Sequence, residues 1–366
     1  MSRRRRIILS GGGTGGHIYP AIAVADALKE IDPDIDILFV GAKGRMEMEK
    51  VPEAGYSIEG LWISGFQRKI TIDNLLFPLK LASSLWRAGS ILGRFKPDLA
   101  IGFGGYASGP LLQMAVRKGV RTAIQEQNAF PGATNRLLAR QVDKVFTAYP
   151  DMTSYFALEK TFFTGNPVRN ALLESQEGKT SSRDHFDLSK EKLTVLVFGG
   201  SLGAGVLNEA MDNAFSLIRD DDSIQWIWQT GQFYKEKYRN SATAGLKHVK
   251  QVTFLNRMDM AYAAADLVVC RAGALTISEL SVLGKSAILV PSPHVAEDHQ
   301  TKNALALEKE NAAVYLSETK AKYLIEEAIS LVRDEHQLKN LSENIKRLAK
   351  PNASKEIAKH ALALIT

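Results

Sequence analysis

The chain reads as an α/β protein of two Rossmann-like, doubly wound parallel-sheet halves, and three observations lead there. Apolar runs of strand length alternate with stretches of helical periodicity along most of the sequence. The first run, Ile7-Ile8-Leu9, leads into a glycine-rich loop and a helix, and that order returns at Leu193–Phe198, followed by GGSLGAGVLN from Gly199 to Asn208. Between the two series, Thr164-Gly165-Asn166-Pro167-Val168-Arg169 ends one pattern before the next begins. At 366 residues and 45% hydrophobic content the chain is long enough for two full cores.

In chain order, the first series places strands at Arg6–Leu9, Ile37–Val40, Leu99–Gly102, Thr122–Gln125 and Lys144–Thr147. The second places them at Leu193–Phe198, Ile224–Trp228, Val252–Phe254, Leu267–Cys270 and Ala287–Val290. These runs predict one domain over 1–165 and another over 166–345, with a charged connection from Glu174 to Lys192 and a C-terminal helix, about 346–366, packing back on the first. Doubly wound domains of this kind normally face each other across a cleft, with ligands outside the carboxyl ends of the strands.

The loop Gly11–Ala21, GGGTGGHIYPA, is the most informative segment. Its five glycines allow a tight turn and close approach to a ligand, and the following helix, predicted from about Ile18, aims N–H groups at that ligand. His17 falls in or just before the first helical turn, where the helix dipole disfavours imidazolium and keeps a neutral, proton-accepting ring. Gly11, Gly13 and Gly16 match G-x-G-x-x-G, but the second strand ends in Gly41-Ala42-Lys43 without the acid a dinucleotide ribose needs. Gly16-His17-Ile18 stands where a Walker A loop has Gly-Lys-Ser/Thr.

Other classes recede on composition. No apolar stretch reaches the roughly 18 to 20 residues of a membrane span, and the basic start Arg3–Arg6 has no h-region behind it, which predicts a protein that is not exported. A single cysteine, Cys270, allows no internal disulfide and suits a reducing compartment. The net charge of +6 is mild, and without a recognised module no nucleic-acid partner is expected. Between Ser64 and Lys96, however, Arg68, Lys69, Lys80, Arg87, Arg94 and Lys96 face the lone acid Asp73, beside Leu75, Leu76, Phe77, Leu79, Leu81, Leu85 and Trp86. That mixture suits either docking on an anionic membrane surface or a core helix with a solvated basic face.

Further candidates sit where strands end. Gly102–Pro110 contains Gly104, Gly105, Tyr106 and Ser108, whose N–H and hydroxyl groups suit a phosphate or sugar as well as a plain turn. Gln125-Glu126-Gln127-Asn128 offers amides that both donate and accept. In the second half, Gly200-Ser201 and Arg169 suit a diphosphate. The segment Arg271–Glu279 is a turn and helix start in which Thr276 and Glu279 form either a capping box or, through Glu279, a ribose contact. The loop of His294, Glu297, Asp298, His299 and Gln300 has no regular ligand spacing, so no metal is expected.

Seven motifs in one order, GGTGGHIYPA, GFGGYASGP, EQN, TGNPVR, FGGSLGAGVLN, RAGALTISEL and HQTKNALALE, resemble the family of the peptidoglycan N-acetylglucosaminyltransferase over nearly the whole chain. Gln125 and Ser286 depart from the family pattern, which usually has histidine and proline there. The resemblance implies a GT-B fold at the cytoplasmic membrane face, which favours docking through 64–96. It implies UDP-N-acetylglucosamine as donor and undecaprenyl-diphospho-muramoylpentapeptide as acceptor, with no cofactor.

Carried over by motif, Glu279 matches the ribose carboxylate, Ser201 and Arg169 the diphosphate contacts, and Met258 the position whose backbone meets uracil. Thr14, Gly15 and Gly16 line the sugar side, and Asn128, Gln300 and Ala274, Leu275, Thr276, Ile277 and Ser278 match the remaining donor contacts. Gly104, Gly105, Tyr106, Ser108 and Glu126 are acceptor candidates, and His17 is the expected base of an inverting transfer. Another UDP-sugar:lipid transferase, a UDP-sugar epimerase and a non-catalytic nucleotide-sugar-binding module are the rival readings.

Overall fold

Strands covered by helices on both faces must be apolar on both faces, and Ile7, Ile8 and Leu9 are fully buried accordingly. The structure, a computed structural model, describes residues 4–65, 76–295 and 298–365. Arg3, the stretch 66–75 of the basic segment (Arg68, Lys69, Asp73 and Leu75), Glu297 and Thr366 lie outside the described residues. The chain divides into two compact units, one of residues 1–169 and 350–366, the other of 170–349. The boundary after Arg169 falls at the end of the segment Thr164–Arg169, four residues past the expected domain limit at 165.

The first unit holds a seven-stranded sheet in the order β3-β2-β1-β4-β5-β6-β7. Its strands are β1 (Arg6–Ser10), β2 (Asp36–Ala42), β3 (Ser57–Leu61), β4 (Leu99–Gly102), β5 (Arg121–Glu126), β6 (Lys144–Thr147) and β7 (Thr161–Phe163). Every pair is parallel. Five strands coincide with the predicted runs, whereas β3 and β7 do not appear among them, because SIEGL carries a glycine and an acid and TFF is only three residues long. Helices α1 (Gly15–Ile31), α2 (Glu47–Glu53), α3 (Phe77–Phe95), α4 (Ser108–Arg117) and α5 (Ala133–Leu138) lie around the sheet.

The C-terminal helix, Ala353–Leu362, belongs to this unit because Ile357, Ala358, Ala361 and Leu362 share one core with Leu9, Val24, Ala25 and Leu28. A Lys355–Glu30 ion pair at 2.7 Å and a hydrogen bond from Lys144 Nζ to the His360 carbonyl border that contact.

The second unit repeats the plan with six parallel strands in the order β10-β9-β8-β11-β12-β13. They are β8 (Leu193–Phe198), β9 (Ile224–Gln229), β10 (Val249–Val252), β11 (Leu267–Cys270), β12 (Ala287–Leu289) and β13 (Val314–Tyr315). Pairing moves β10 three residues ahead of the predicted run Val252–Phe254, and β13 is too short to give a pattern. Around them lie α6 (Lys179–His185), α7 (Gly205–Asn213), α8 (Met258–Ala264), α9 (Ala274–Leu283), α10 (His299–Lys309), α11 (Leu324–Arg333) and α12 (Glu335–Arg347). The core is centred on the fully buried Trp226 and Trp228 of β9, and the Trp228 indole donates to Asn208 of α7. Cys270 is buried, and burial pushes its thiol far up, as befits a packing residue.

In both sheets the strand order reverses direction beside the first strand, between β1 and β4 and between β8 and β11. Ligands of doubly wound sheets bind outside the carboxyl ends of strands at that point. The glycine loops after β1, β4, β8 and β11 all leave from there.

Candidate active site

In the first unit, α1 begins at Gly15, three residues earlier than periodicity indicates, since Thr14 is the N-cap and its carbonyl accepts from His17 and Ile18 N–H. Glycine gives no apolar signal, so the first turn is silent in sequence. His17 therefore lies firmly in that turn. Its Nδ1 is 3.0 Å from the Gly12 carbonyl and 3.2 Å from Thr14 Oγ1. A carbonyl can only accept, so the neutral ring carries its proton on Nδ1 and its lone pair on Nε2. The Nε2 edge faces Gly104, where a β-carbon would come within 3.0 Å of Nε2.

The loop after β4 is built against the loop after β1. Phe103 N–H donates to the Ser10 carbonyl at 2.7 Å. Gly105 has φ +81°, and a β-carbon on it would sit 2.2 Å from the Gly12 oxygen, so neither its backbone nor its surroundings admit a side chain. Tyr106 is half exposed, its ring packed over Gly65 with an edge toward Gly13. Ser108 is fully buried as the first residue of α4, and its hydroxyl donates to the Gly105 carbonyl. That hydroxyl braces the Gly104-Gly105 turn from the start of the helix.

After β5, Glu126 turns inward. Its carboxylate is buried and accepts from Asn128 N–H, Asn128 Nδ2, Gly132 N–H and Asn135 Nδ2 at 2.9–3.3 Å. Burial raises its pKa above the ordinary carboxylate value, opposed by those donors. It organises the loop that presents Asn128. Gln125 joins a buried amide network, donating to Asn166 at 2.8 Å and accepting from Gln127, whose amide also reaches the Phe103 carbonyl at 2.6 Å. The amide that departs from the family's histidine is thus a structural link. Arg169, at the end of this unit, stacks its guanidinium 5.0 Å over the Tyr19 ring of α1, two residues beyond His17.

In the second unit, Ser201 is exposed in a loop held from beneath by Gln229, which accepts from Gly199 N–H and donates to the Gly200 carbonyl. Gly203 closes the turn at φ +86°, where a β-carbon would lie 2.0 Å from the Thr230 carbonyl. No side chain caps α7 at Ala204, so its first N–H groups suit an anion. On α9, Glu279 is buried and its Oε2 accepts from the buried Tyr262 hydroxyl at 3.0 Å. Tyr262 is a partner that sequence reasoning missed, although its place in AYAAAD just before β11 is the signal that could have found it.

The capping-box alternative for Thr276 is not realised, since Gly273 is the N-cap and Thr276 lies inside the helix. Around it, Ala274, Leu275 and Ser278 are half-buried, Ile277 is buried, and the Ser278 hydroxyl turns back to the Ala274 carbonyl. Gln300 accepts from Ser292 N–H at 2.9 Å and so fastens α10 to the loop after β12. Ser286, the second departure from the family pattern, donates to the Leu338 carbonyl. Met258 is a buried first residue of α8, and Arg257 and Asp259 on either side help line a recess of about 400 Å³.

The basic segment changes most. Lys80 is buried, donating to Ser64 at 3.0 Å. Arg87 and Arg94 both pair with Glu59 of β3, an acid outside the stretch from which the local excess of positive charge was read. Leu79 and Trp86 remain 63% and 76% exposed, seven residues apart and hence on one face of α3, with Trp62 half exposed. Among the described residues no helix is long and apolar enough to cross a membrane.

Comparison with known proteins agrees with both units. Residues 7–147 match the glycosyltransferase family 28 N-terminal domain and 194–360 its C-terminal domain. A protein of Christiangramia forsetii named UDP-N-acetylglucosamine--N-acetylmuramyl-(pentapeptide) pyrophosphoryl-undecaprenol N-acetylglucosamine transferase is 49% identical, covering 100% of this chain and 99% of its own. The crystal structure of Acinetobacter baumannii MurG superposes with a TM-score of 0.76 at 26% identity, over 98% of this chain and 99% of that one. A UDP-GlcNAc 2-epimerase from Neisseria meningitidis, 14% identical with a TM-score of 0.71 over 98% of this chain and 100% of its own, shares the fold. With both domain models matched in order and near-half identity held from end to end, the chain belongs to glycosyltransferase family 28.

Proposed function

We propose that the chain transfers N-acetylglucosamine from UDP-N-acetylglucosamine to the 4-hydroxyl of undecaprenyl-diphospho-muramoylpentapeptide, with inversion at the anomeric carbon, in peptidoglycan synthesis. The observation that carries the mechanism is the orientation of His17: Nδ1 is committed to the Gly12 carbonyl, so Nε2 is the basic atom. His17 Nε2 takes the proton as the acceptor oxygen bonds to the anomeric carbon and the bond to the diphosphate oxygen breaks, releasing UDP. The leaving charge falls to Ser201, the uncapped start of α7 and Arg169. Glu279, aligned by Tyr262, takes the ribose hydroxyls. The 49% full-length identity to a relative bearing that transferase name supports donor and acceptor alike.

The working place is the cytoplasmic face of the bacterial membrane, held peripherally. Support for that comes from Leu79 and Trp86, two large apolar side chains exposed on one face of α3. The paired arginines lower the weight of charge in that contact.

His17→Ala removes the base alone. Turnover falls by about 10² to 10⁴ while UDP binding, read by calorimetry, is unchanged. Normal turnover in the variant would take His17 out of the mechanism.

A further inference from the structure

Glu47, at the start of α2, is fully buried, and a carboxylate so placed has to be compensated. Its hydrogen-bond partners are backbone. Oε1 accepts from Ala42 N–H at 2.9 Å and Gly13 N–H at 3.2 Å, and Oε2 from Gly13 N–H at 3.0 Å. The loop lies directly on this carboxylate, since a β-carbon on Gly12 would meet Oε1 at 2.0 Å. Gly13 N–H and the Gly12 carbonyl are the two ends of one peptide group. Glu47 holds the first end and His17 Nδ1 the second, at 3.0 Å.

We infer that Glu47 is a positioning residue for His17, acting through the Gly12–Gly13 peptide; this rests on the reading of His17 as the base. The carboxylate fixes the plane of the peptide and polarises it, making the Gly12 oxygen a stronger acceptor. A stronger acceptor holds the proton on Nδ1 and supports the imidazolium that forms when Nε2 takes a proton. This is the part a buried aspartate plays for the histidine of a hydrolase triad, with one peptide interposed. Gly105, packed on the same Gly12 carbonyl, keeps the peptide from turning away.

The test is a double-mutant cycle on the full chain. Glu47→Gln keeps the shape but sets an amide N–H₂ against backbone donors, and kcat should fall about tenfold or more with the Kd for UDP-N-acetylglucosamine unchanged. In a His17→Ala background the same substitution should change kcat by less than about twofold, because residues acting as one unit are not additive. Equal losses in both backgrounds, or no loss in the first, overturn the inference. Glu47→Asp, which withdraws the charge by one methylene, carries the same cycle if the glutamine variant does not fold. Imidazole ¹⁵N shifts, assigned to His17 by their loss in His17→Ala, should show the proton on Nδ1 in the unaltered chain and a larger Nε2–H population in Glu47→Gln. A wild-type ring protonated on Nε2, or a tautomer ratio unmoved by Glu47→Gln, overturns it as well. Undiminished turnover in His17→Ala would instead sink the reading of the base, and the ¹⁵N experiment would still judge Glu47.

Discussion

Side-chain chemistry at this site depends on what stands behind each reacting group. His17 was legible in sequence because a histidine among five glycines is conspicuous, but its tautomer was not, since that is set by a carbonyl five residues back. Glu126 shows the opposite case: strand-end position pointed to a ligand contact, whereas four donors from residues 128–135 keep its carboxylate inside. Glu126→Gln turns one acceptor into a donor facing N–H groups, so it should cost about 1 to 3 kcal/mol of stability, read from chemical unfolding. An unchanged unfolding midpoint would mean that the carboxylate does not hold the loop. Tyr262→Phe leaves packing in place but frees Glu279 from its hydroxyl partner, and a KM for UDP-N-acetylglucosamine raised with little change in kcat is the expected signature. A kcat defect without a KM change would contradict a ribose role.

Elements explain why the loops are where they are. Ile7-Ile8-Leu9 and Leu193–Phe198 were readable as strands because burial on both faces demands continuous apolar runs. Short strands such as Thr161–Phe163 and Val314–Tyr315 were not, because pairing with a neighbour, not pattern, makes them strands. The contact between the loops after β1 and β4 was equally hidden, for it joins residues 12 and 105. Gly105→Ala would place a β-carbon 2.2 Å from the Gly12 oxygen at φ +81°, so it should lower both the melting temperature and turnover. Wild-type values for both would show that the loops are not packed as described. On α3, Trp86→Glu should weaken sedimentation with anionic vesicles while turnover of a short-chain, soluble acceptor stays intact. Arg87→Ala should do less, because Glu59 already pairs with that arginine. Equal effects would return the weight to charge.

At the scale of the molecule, two sheets of the same winding carry two sets of glycine loops, and the division of labour follows from which set holds an anion. A donor bound by the second unit stabilises that unit: a hundredfold excess over Kd adds about 2.7 kcal/mol by mass action. Hydrogen exchange on adding UDP should therefore slow at residues 199–205 and 274–279, and protection confined to the first unit would reverse the assignment. The two-domain plan was visible in the repeated order of strand, glycine loop and helix. Membership of the C-terminal helix in the first unit was suggested but rests on Ile357, Ala358, Ala361 and Leu362 finding that core. Fold alone leaves transfer and epimerisation open, since a UDP-GlcNAc 2-epimerase shares it. The decisive measurement incubates the protein with UDP-N-acetylglucosamine labelled in the sugar, with and without undecaprenyl-diphospho-muramoylpentapeptide. Label should pass to the lipid only when that acceptor is present, with UDP released in equal amount, whereas a 2-epimerised sugar nucleotide formed without acceptor, or no transfer with it, would contradict the proposed reaction.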